Sequence, residues 1–329
     1  MHLPPPPELP GPDVLTAGLT AVLRAAGAAK ETVTVLERAG HVYVSTYPSE
    51  VVTCRLDGGR AIRLLCKYSA DRHEPAYGHR GGVPYEAEVY RAVHAPIGVS
   101  VPRCFGTWTD PSTGWIWLVM EFLDGAARMN KTEDGPERAA GWLGGFHALN
   151  APRVGEPGLD FLTRYDDRYY RSWAERTLEF GAPLGRGFAW LEELARRTGE
   201  ISEVLIAAPA TVIHGEFYGA NVLLNDGIVH PIDWESAAIA PGEIDLASMT
   251  QNWPARTVEA CEAAYRDARW PGGAPAGFAK VLEAARIYFL FRWLGDDPRW
   301  PTNPRSQWYH EELRRRAARW DTMMMESPR

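Results

Sequence analysis

The chain has 329 residues, a net charge of −7, 45% hydrophobic residues and 23% charged residues. That length suffices for a large core and two lobes, and the composition is that of a soluble globular enzyme. The acidic balance argues against a nucleic-acid partner, which usually needs a basic face, and no apolar run approaches membrane-spanning length.

Residues 1–12 are Pro-rich, with no basic segment followed by an apolar one, and read as a flexible lead-in rather than a signal peptide. Residues 13–27 read as a helix. Strands follow at Thr32–Leu36, Val42–Ser45, Val51–Leu56 and Ile62–Cys66, with Asp57-Gly58-Gly59 as a hairpin turn. Tyr85–Val93 has helical spacing, and Arg103–Trp108 and Trp115–Phe122 read as two strands split by the Asp110–Gly114 turn. From Leu123–Gly125 onward the pattern turns helical: Pro136–Leu149, Tyr169–Glu179 and Phe188–Ile206. Short strands at Val212–His214, Val222–Leu224 and Ile228–Ile232 come next, then helices near 243–251, 255–268, 276–294 and 305–325. This order predicts an α+β fold with an N-terminal lobe over 13–123 and a helical C-terminal lobe over 124–329. Cys54, Cys66, Cys104 and Cys261 lack C-x-x-C spacing, so a disulfide framework or zinc site is not expected and a cytoplasmic location is.

The densest chemical signal is His214-Gly215-Glu216-Phe217-Tyr218-Gly219-Ala220-Asn221, followed by Pro231-Ile232-Asp233-Trp234-Glu235. A carboxylate stands five residues before a carboxamide, and a second carboxylate follows twelve residues later. Kinase-type phosphoryl transfer uses such a set: one carboxylate orients or deprotonates the attacking hydroxyl, and the amide and other carboxylate hold Mg²⁺ against nucleotide phosphates. The protein-kinase pattern H-R-D-x-x-x-x-N … D-F-G maps onto His214, Gly215, Glu216, Asn221 and Ile232-Asp233-Trp234, with glutamate where the pattern has aspartate.

Such a site also needs a lysine from the sheet and an acidic partner from a helix. Lys67 ends an apolar strand and is the sole lysine between Lys30 and Lys131. Alone it reads equally as a solvated strand end; the downstream motif favours the functional reading. Glu86 shares a helical face with Val89, Tyr90 and Val93, whereas Glu88 projects roughly 160° away. Glu86 is therefore the expected partner and Glu88 a surface charge. No G-x-G-x-x-G occurs in the first hundred residues. The bend Ser45-Thr46-Tyr47-Pro48-Ser49 offers hydroxyls and N–H groups for phosphates, or is an ordinary polar turn.

The chain resembles the aminoglycoside phosphotransferase / choline kinase group of protein-kinase-like enzymes. The resemblance rests on residues 212–250, ending Pro241-Gly242-Glu243-Ile244-Asp245-Leu246-Ala247, on Leu143-Gly144-Gly145-Phe146-His147-Ala148, on Tyr85–Arg91 and on Val99–Pro102. It covers about residues 30–295. It implies a bilobal kinase-like fold with an N-terminal antiparallel sheet, and it implies ATP or GTP with Mg²⁺ as cofactors. It places Glu216 at the catalytic base, Asn221 and Asp233 at the metal positions, and Lys67 and Glu86 at the phosphate-binding ion pair. On the same resemblance His214 would brace the catalytic loop, Asp245 would support it from the next helix, and Glu121–Leu123 would form the hinge that holds the base. Ser45 and Ser49 are the candidate phosphate contacts. Glu235 reads as a surface carboxylate and stays outside the catalytic set.

The expected activity is transfer of the γ-phosphoryl group to a hydroxyl of an aminoglycoside-like, sugar-bearing or other small metabolite, with use in antibiotic resistance or natural-product metabolism. The extra methylene of Glu216 displaces its carboxylate by about 1–1.5 Å, and a shift of that size can cost on the order of 10²-fold in rate. Three readings compete: a rebuilt loop with altered substrate geometry, a slow enzyme, or a catalytically impaired nucleotide-binding pseudokinase. The metal positions and Lys67 are all present, which favours activity. A protein kinase is disfavoured, since no H-R-D, D-F-G or A-P-E landmark occurs. The helical half carries aromatics such as Tyr165, Tyr169, Tyr288 and Trp293; they read as core, or as walls of an acceptor site.

Overall fold

A computed structural model describes residues 9–40, 47–69, 79–183, 185, 189–301 and 303–326. The predicted strand Val42–Ser45, with Ser45 itself, lies outside them. In chain order the helices are α1 (Pro12–Ala25), α2 (Gly82–Val89), α3 (Gly135–Asn150), α4 (Asp167–Gly181), α5 (Ala189–Arg196), α6 (Thr198–Ala207), α7 (Glu243–Met249), α8 (Ala255–Arg269), α9 (Phe278–Asp296) and α10 (Gln307–Glu326). The strands are β1 (Thr34–Gly40), β2 (Ser49–Arg55), β3 (Ala61–Tyr68), β4 (Cys104–Thr109), β5 (Ile116–Glu121), β6 (Ala127–Arg128), β7 (Thr163–Arg164), β8 (Ala210–Ile213), β9 (Val222–Asn225), β10 (Ile228–Pro231) and β11 (Ala238–Pro241). Among the described residues no helix is long and apolar enough to cross a membrane.

The chain divides into two compact units. The first comprises Met1–Ala127 and Leu223–Ser236, the second Arg128–Val222 and Ala237–Arg329. The first is built on a five-stranded antiparallel sheet of order β1-β2-β3-β5-β4. The turn between β2 and β3 uses Gly58 at φ +74° and Gly59 at φ +84°, backbone that residues with a Cβ rarely adopt. Asp57 accepts from the backbone N–H groups of Lys30 (2.5 Å) and Glu31 (3.2 Å), fixing the turn to the chain entering β1.

Helix α1 covers one face of that sheet. Leu15, Leu19, Val22 and Leu23 recur at i, i+4, i+7 and i+8, and all are buried against Val52, Leu64, Trp117 and Val119. Gly18 explains how closely the helix lies. A Cβ there would meet the Trp117 ring at 2.5 Å and the Trp108 ring at 2.8 Å. A mid-helix glycine costs roughly 1 kcal/mol, and here the tryptophan pair, centroids 4.4 Å apart, leaves room for nothing larger. The chain then forms α2 and continues through a π-turn over Tyr90–His94.

The second unit is mostly helical. A small sheet of order β7-β11-β8 sits within it, with β8 and β11 antiparallel and β7 and β11 parallel. Helix α9 is buried nearly all round, through Leu282, Ile287, Tyr288, Phe289, Leu290, Phe291 and Leu294, as expected of a central helix packed by α4, α6, α7 and α10. Helices α3 and α8 touch backbone to backbone at Gly144, where a Cβ would stand 2.4 Å from the Tyr265 carbonyl. The predicted single helix Phe188–Ile206 is two, α5 and α6. Arg197 between them leaves helical backbone at φ −95°, ψ 4°, and its guanidinium bonds both Glu200 and Asp321.

Candidate active site

In the first unit, β3 lies between β2 and β5 and carries Lys67 as its penultimate residue. Its ammonium donates to Glu86 Oε2 (2.8 Å) and to Asp233 Oδ1 (2.7 Å). Lys67 is 7% exposed and Glu86 1%. Glu86 Oε1 also accepts the backbone N–H of Trp234 at 3.3 Å, so α2 is tied to the residue after Asp233. Burial opposes the lysine charge, but Asp233 and Glu86 outweigh it and raise the pKa. Burial raises the Glu86 pKa, with Lys67 pulling the other way. Glu88 faces outward and bonds Arg91 at 2.7 Å. Of the two helix carboxylates, Glu86 is the one brought to Lys67.

Asp233 holds φ at +70°, left-handed backbone that side-chain-bearing residues avoid and that aspartate tolerates better than most. Such backbone concentrates at functional sites, where surrounding contacts over-determine it. Here the Lys67 ammonium and the Trp234–Glu86 bond pin it from both sides.

Glu235 corrects the sequence reading: it is 2% exposed, not on the surface. Burial, then the Asp233 and Glu86 charges, push its carboxyl up to about 8, and Arg80 stands 3.5 Å away. A carboxyl with a raised folded-state pKa binds its proton in the folded chain over a range where the unfolded chain has released it. Its stabilising contribution is full below about 4.5 and is lost as pH rises through 8. Without nucleotide or metal, the melting temperature should therefore fall between pH 5 and pH 8.5, by an amount reflecting a few kcal/mol at most. Glu235→Gln should flatten that slope; an unchanged slope in the variant would refute the assignment.

Of the nucleotide-contact candidates, Ser49 starts β2 directly opposite Lys67 in the sheet register. Glu121 ends β5; its carboxylate accepts the Arg103 N–H at 3.1 Å and its own N–H donates to the Arg103 carbonyl at 2.8 Å. Leu123 follows, its carbonyl accepting from the Ala126 N–H at 3.5 Å.

In the second unit, the loop after β8 carries His214, Glu216 and Asn221. Gly215 turns the chain at φ +82°. Asp245, fully buried on α7, accepts from the backbone N–H groups of His214 (2.6 Å) and Gly215 (2.8 Å), and its Oδ2 stands 3.3 Å from His147 Nε2. The other His147 nitrogen lies 3.0 Å from the Tyr265 hydroxyl, which in turn accepts from Arg269. Burial holds His147 down at about 4 against the opposing pull of Asp245, so the ring is neutral near pH 7. His214 Nδ1 accepts the Glu216 N–H at 3.2 Å. The Glu216 carbonyl accepts from Tyr218 N–H (2.9 Å) and Asn221 Nδ2 (3.2 Å). The whole loop is thus hung from one buried carboxylate and stitched to itself.

The Glu216 side chain is 3% exposed, and its Oε1 accepts from Arg292 Nη2 at 2.5 Å. Sequence reasoning missed Arg292, although a signal was there. It is one cation within Ile287-Tyr288-Phe289-Leu290-Phe291-Arg292-Trp293-Leu294, and a charge inside a buried apolar run needs a partner. It missed His147 as a contributor to the Asp245 network for want of any periodic pattern linking positions 98 residues apart.

The antiparallel-sheet unit and the helical unit are those of a protein-kinase-like fold. The model of the phosphotransferase enzyme family matches residues 53–281, and the chain belongs to that family. Solved structures share the fold. A putative aminoglycoside phosphotransferase from Ralstonia eutropha JMP134 is similar at TM-score 0.62 and 14% identity, over 92% of this chain and 95% of that one. A putative fructosamine-3-kinase from Haemophilus somnus 129PT is similar at TM-score 0.57 and 13% identity, over 92% and 97%. A choline/ethanolamine kinase family protein from Mesorhizobium loti is similar at TM-score 0.53 and 19% identity, over 86% and 89%. No curated protein sequence matches the chain. The protein is a phosphotransferase.

Proposed function

We propose that the protein transfers the γ-phosphoryl group of ATP or GTP to a hydroxyl of a small metabolite. The observation that carries this reading is Lys67, buried and held between Glu86 and Asp233 at 2.8 and 2.7 Å. A lysine so placed serves as a fixed cation for phosphate oxygens. Glu216 would accept and orient the attacking hydroxyl, and His214 would keep its backbone in place through the 3.2 Å bond.

Asn221 and Asp233 suit Mg²⁺ by donor chemistry. Asn221 uses Nδ2 on the Glu216 carbonyl, which leaves its carboxamide oxygen, and the Asp233 side chain is 28% exposed. Both are hard oxygen donors, and Mg²⁺ commonly takes one or two protein oxygens together with phosphate and water. When bound, the ion would neutralise charge on the phosphates. Ser49, beside Lys67 in the register, and the Glu121–Leu123 segment support contacts to phosphate and base. The acceptor class is drawn from what the similar proteins are named for: aminoglycosides, fructosamines, choline or ethanolamine. A second reading, nucleotide binding without turnover, is favoured by one observation, the ion pair that engages Glu216.

Thermal shifts with ATP and GTP, with and without Mg²⁺, test the shared premise. Stabilisation by neither nucleotide would sink both readings. Turnover against those acceptors then separates them. Glu216→Gln should lower turnover by about 10²–10³-fold while keeping the nucleotide-induced shift. Equal turnover in wild type and Glu216→Gln would remove Glu216 from the chemistry.

A further inference from the structure

We infer that Arg292 is a positioning residue for Glu216, and that it is the reason glutamate rather than aspartate stands at this position. The inference rests on the proposed transfer reaction.

Both ends of the contact are fixed before the side chains are considered. The Glu216 backbone is pinned by its N–H to His214 Nδ1, and by its carbonyl, which accepts from Tyr218 N–H and Asn221 Nδ2. The preceding two residues hang from Asp245. Arg292 projects from α9, a helix buried nearly all round, and its guanidinium lies 5.7 Å from the Phe289 ring centroid. With neither backbone able to approach the other cheaply, side-chain length decides whether the charges meet. Glutamate closes the gap to 2.5 Å. Aspartate is shorter by about 1–1.5 Å and would leave the guanidinium without its partner.

The burial of both groups makes that contact obligatory. Arg292 is 5% exposed and Glu216 3%. Burial opposes the arginine charge and Glu216 restores it, with a net rise in the Arg292 pKa. A guanidinium does not shed its proton to escape burial, so a carboxylate must stay beside it. The consequence for chemistry is geometric. Glu216 is held in one rotamer, and a carboxylate has about four lone-pair sites, so one guanidinium N–H does not exhaust its capacity to accept from a substrate hydroxyl. In a loose phosphoryl-transfer transition state, orientation of the hydroxyl counts for more than its early deprotonation. A carboxylate anchored by arginine therefore serves the reaction through placement.

The test is a kinetic double-mutant cycle on the full chain, with ATP or GTP, Mg²⁺ and the best acceptor among aminoglycosides, choline and fructosamines. Arg292→Met should lower kcat by about 10²-fold, with nucleotide KM within about 3-fold of wild type. Glu216→Asp should also lower kcat, and adding Arg292→Met in that background should change it by less than about 3-fold, because the contact is already lost. Arg292→Lys, which can still offer one N–H to Oε1, should recover at least about 10-fold over Arg292→Met. The Lys variant also keeps the test open if Arg292→Met does not fold, as judged by circular dichroism and the nucleotide-induced thermal shift. An unchanged kcat in Arg292→Met, additive losses in the two backgrounds, or a Lys variant as impaired as Met would overturn the inference. So would an inert wild type that gains turnover in the doubly substituted chain, since the pair would then hold Glu216 out of use. A chain that is stabilised by nucleotide yet inert in every variant refutes the transferase reading itself, a result distinct from an active wild type indifferent to Arg292.

Discussion

Lys67→Met is expected to abolish nearly all phosphoryl transfer, by at least about 10²–10³-fold in kcat, and to destabilise the chain as well. The catalytic part follows from removing the fixed cation that would meet the phosphates; loss of a single preorganised donor to developing charge typically costs that much. The stability part follows from what remains. Glu86 is 1% exposed and its Oε2 loses its partner, while Asp233 keeps its charge nearby. Breaking a buried pair by deleting one member costs about 3–5 kcal/mol, because the survivor stays buried and uncompensated. Glu88→Gln on the same helix is the contrast. Its partner Arg91 is 70% exposed in its side chain, and an exposed pair contributes little to stability. Chemical denaturation and Mg²⁺-nucleotide turnover on both variants would check the pair. A Lys67→Met chain with wild-type turnover would remove Lys67 from the phosphate site, and a Glu88→Gln chain that falls as far would show that Glu86 is not the specific partner.

Asp245→Ala should be nearly as damaging without touching any residue placed at the reaction. Its two oxygens accept the N–H groups of His214 and Gly215 at 2.6 and 2.8 Å, and the residue is fully buried. Alanine leaves both donors unpaired at about 1–3 kcal/mol each, a loss of roughly 2–6 kcal/mol. The neutral His147 ring loses one of its two partners and keeps the Tyr265 hydroxyl. Asp245→Asn keeps one acceptor oxygen and should fall between wild type and Ala. Because Gly215 and His214 lead directly into Glu216, turnover should drop alongside stability in the same order. Denaturant melts ranking Asn no better than Ala would show that the two N–H bonds are not what Asp245 contributes.

Local pattern made some of this legible in the sequence. Glu86 could be chosen over Glu88 because helical periodicity alone puts it on the face of Val89, Tyr90 and Val93, and Val89, Tyr90 and Val93 are indeed buried. The turn at Asp57–Gly59 and the strands flanking it followed from glycines and alternation. The sequence reading failed where the deciding contact lay far along the chain. Apolar spacing runs on through Phe188–Ile206, and nothing local records that Arg197 reaches Asp321, 124 residues away. Gly199 was a missed clue: a Cβ there would meet the Arg171 guanidinium at 2.7 Å. Glu235 looked exposed because a carboxylate usually is; its burial comes from a segment distant in sequence, with the Gly81 N–H bonding its carbonyl at 2.7 Å. Arg292 belongs to both kinds, since its apolar neighbours announced a buried charge but not which carboxylate would meet it.

The contact between Arg292 and Glu216 also bears on how this chain can change over generations. A lone Glu216→Asp step strands a guanidinium that has no neutral form to fall back on. Losing Arg292 first is the milder step, because a buried carboxyl can take up a proton and lower its own cost. The two substitutions are therefore not interchangeable in order. A chain that acquires aspartate at this position is better served by losing the arginine first, and until then the glutamate is entrenched by a residue 76 positions away.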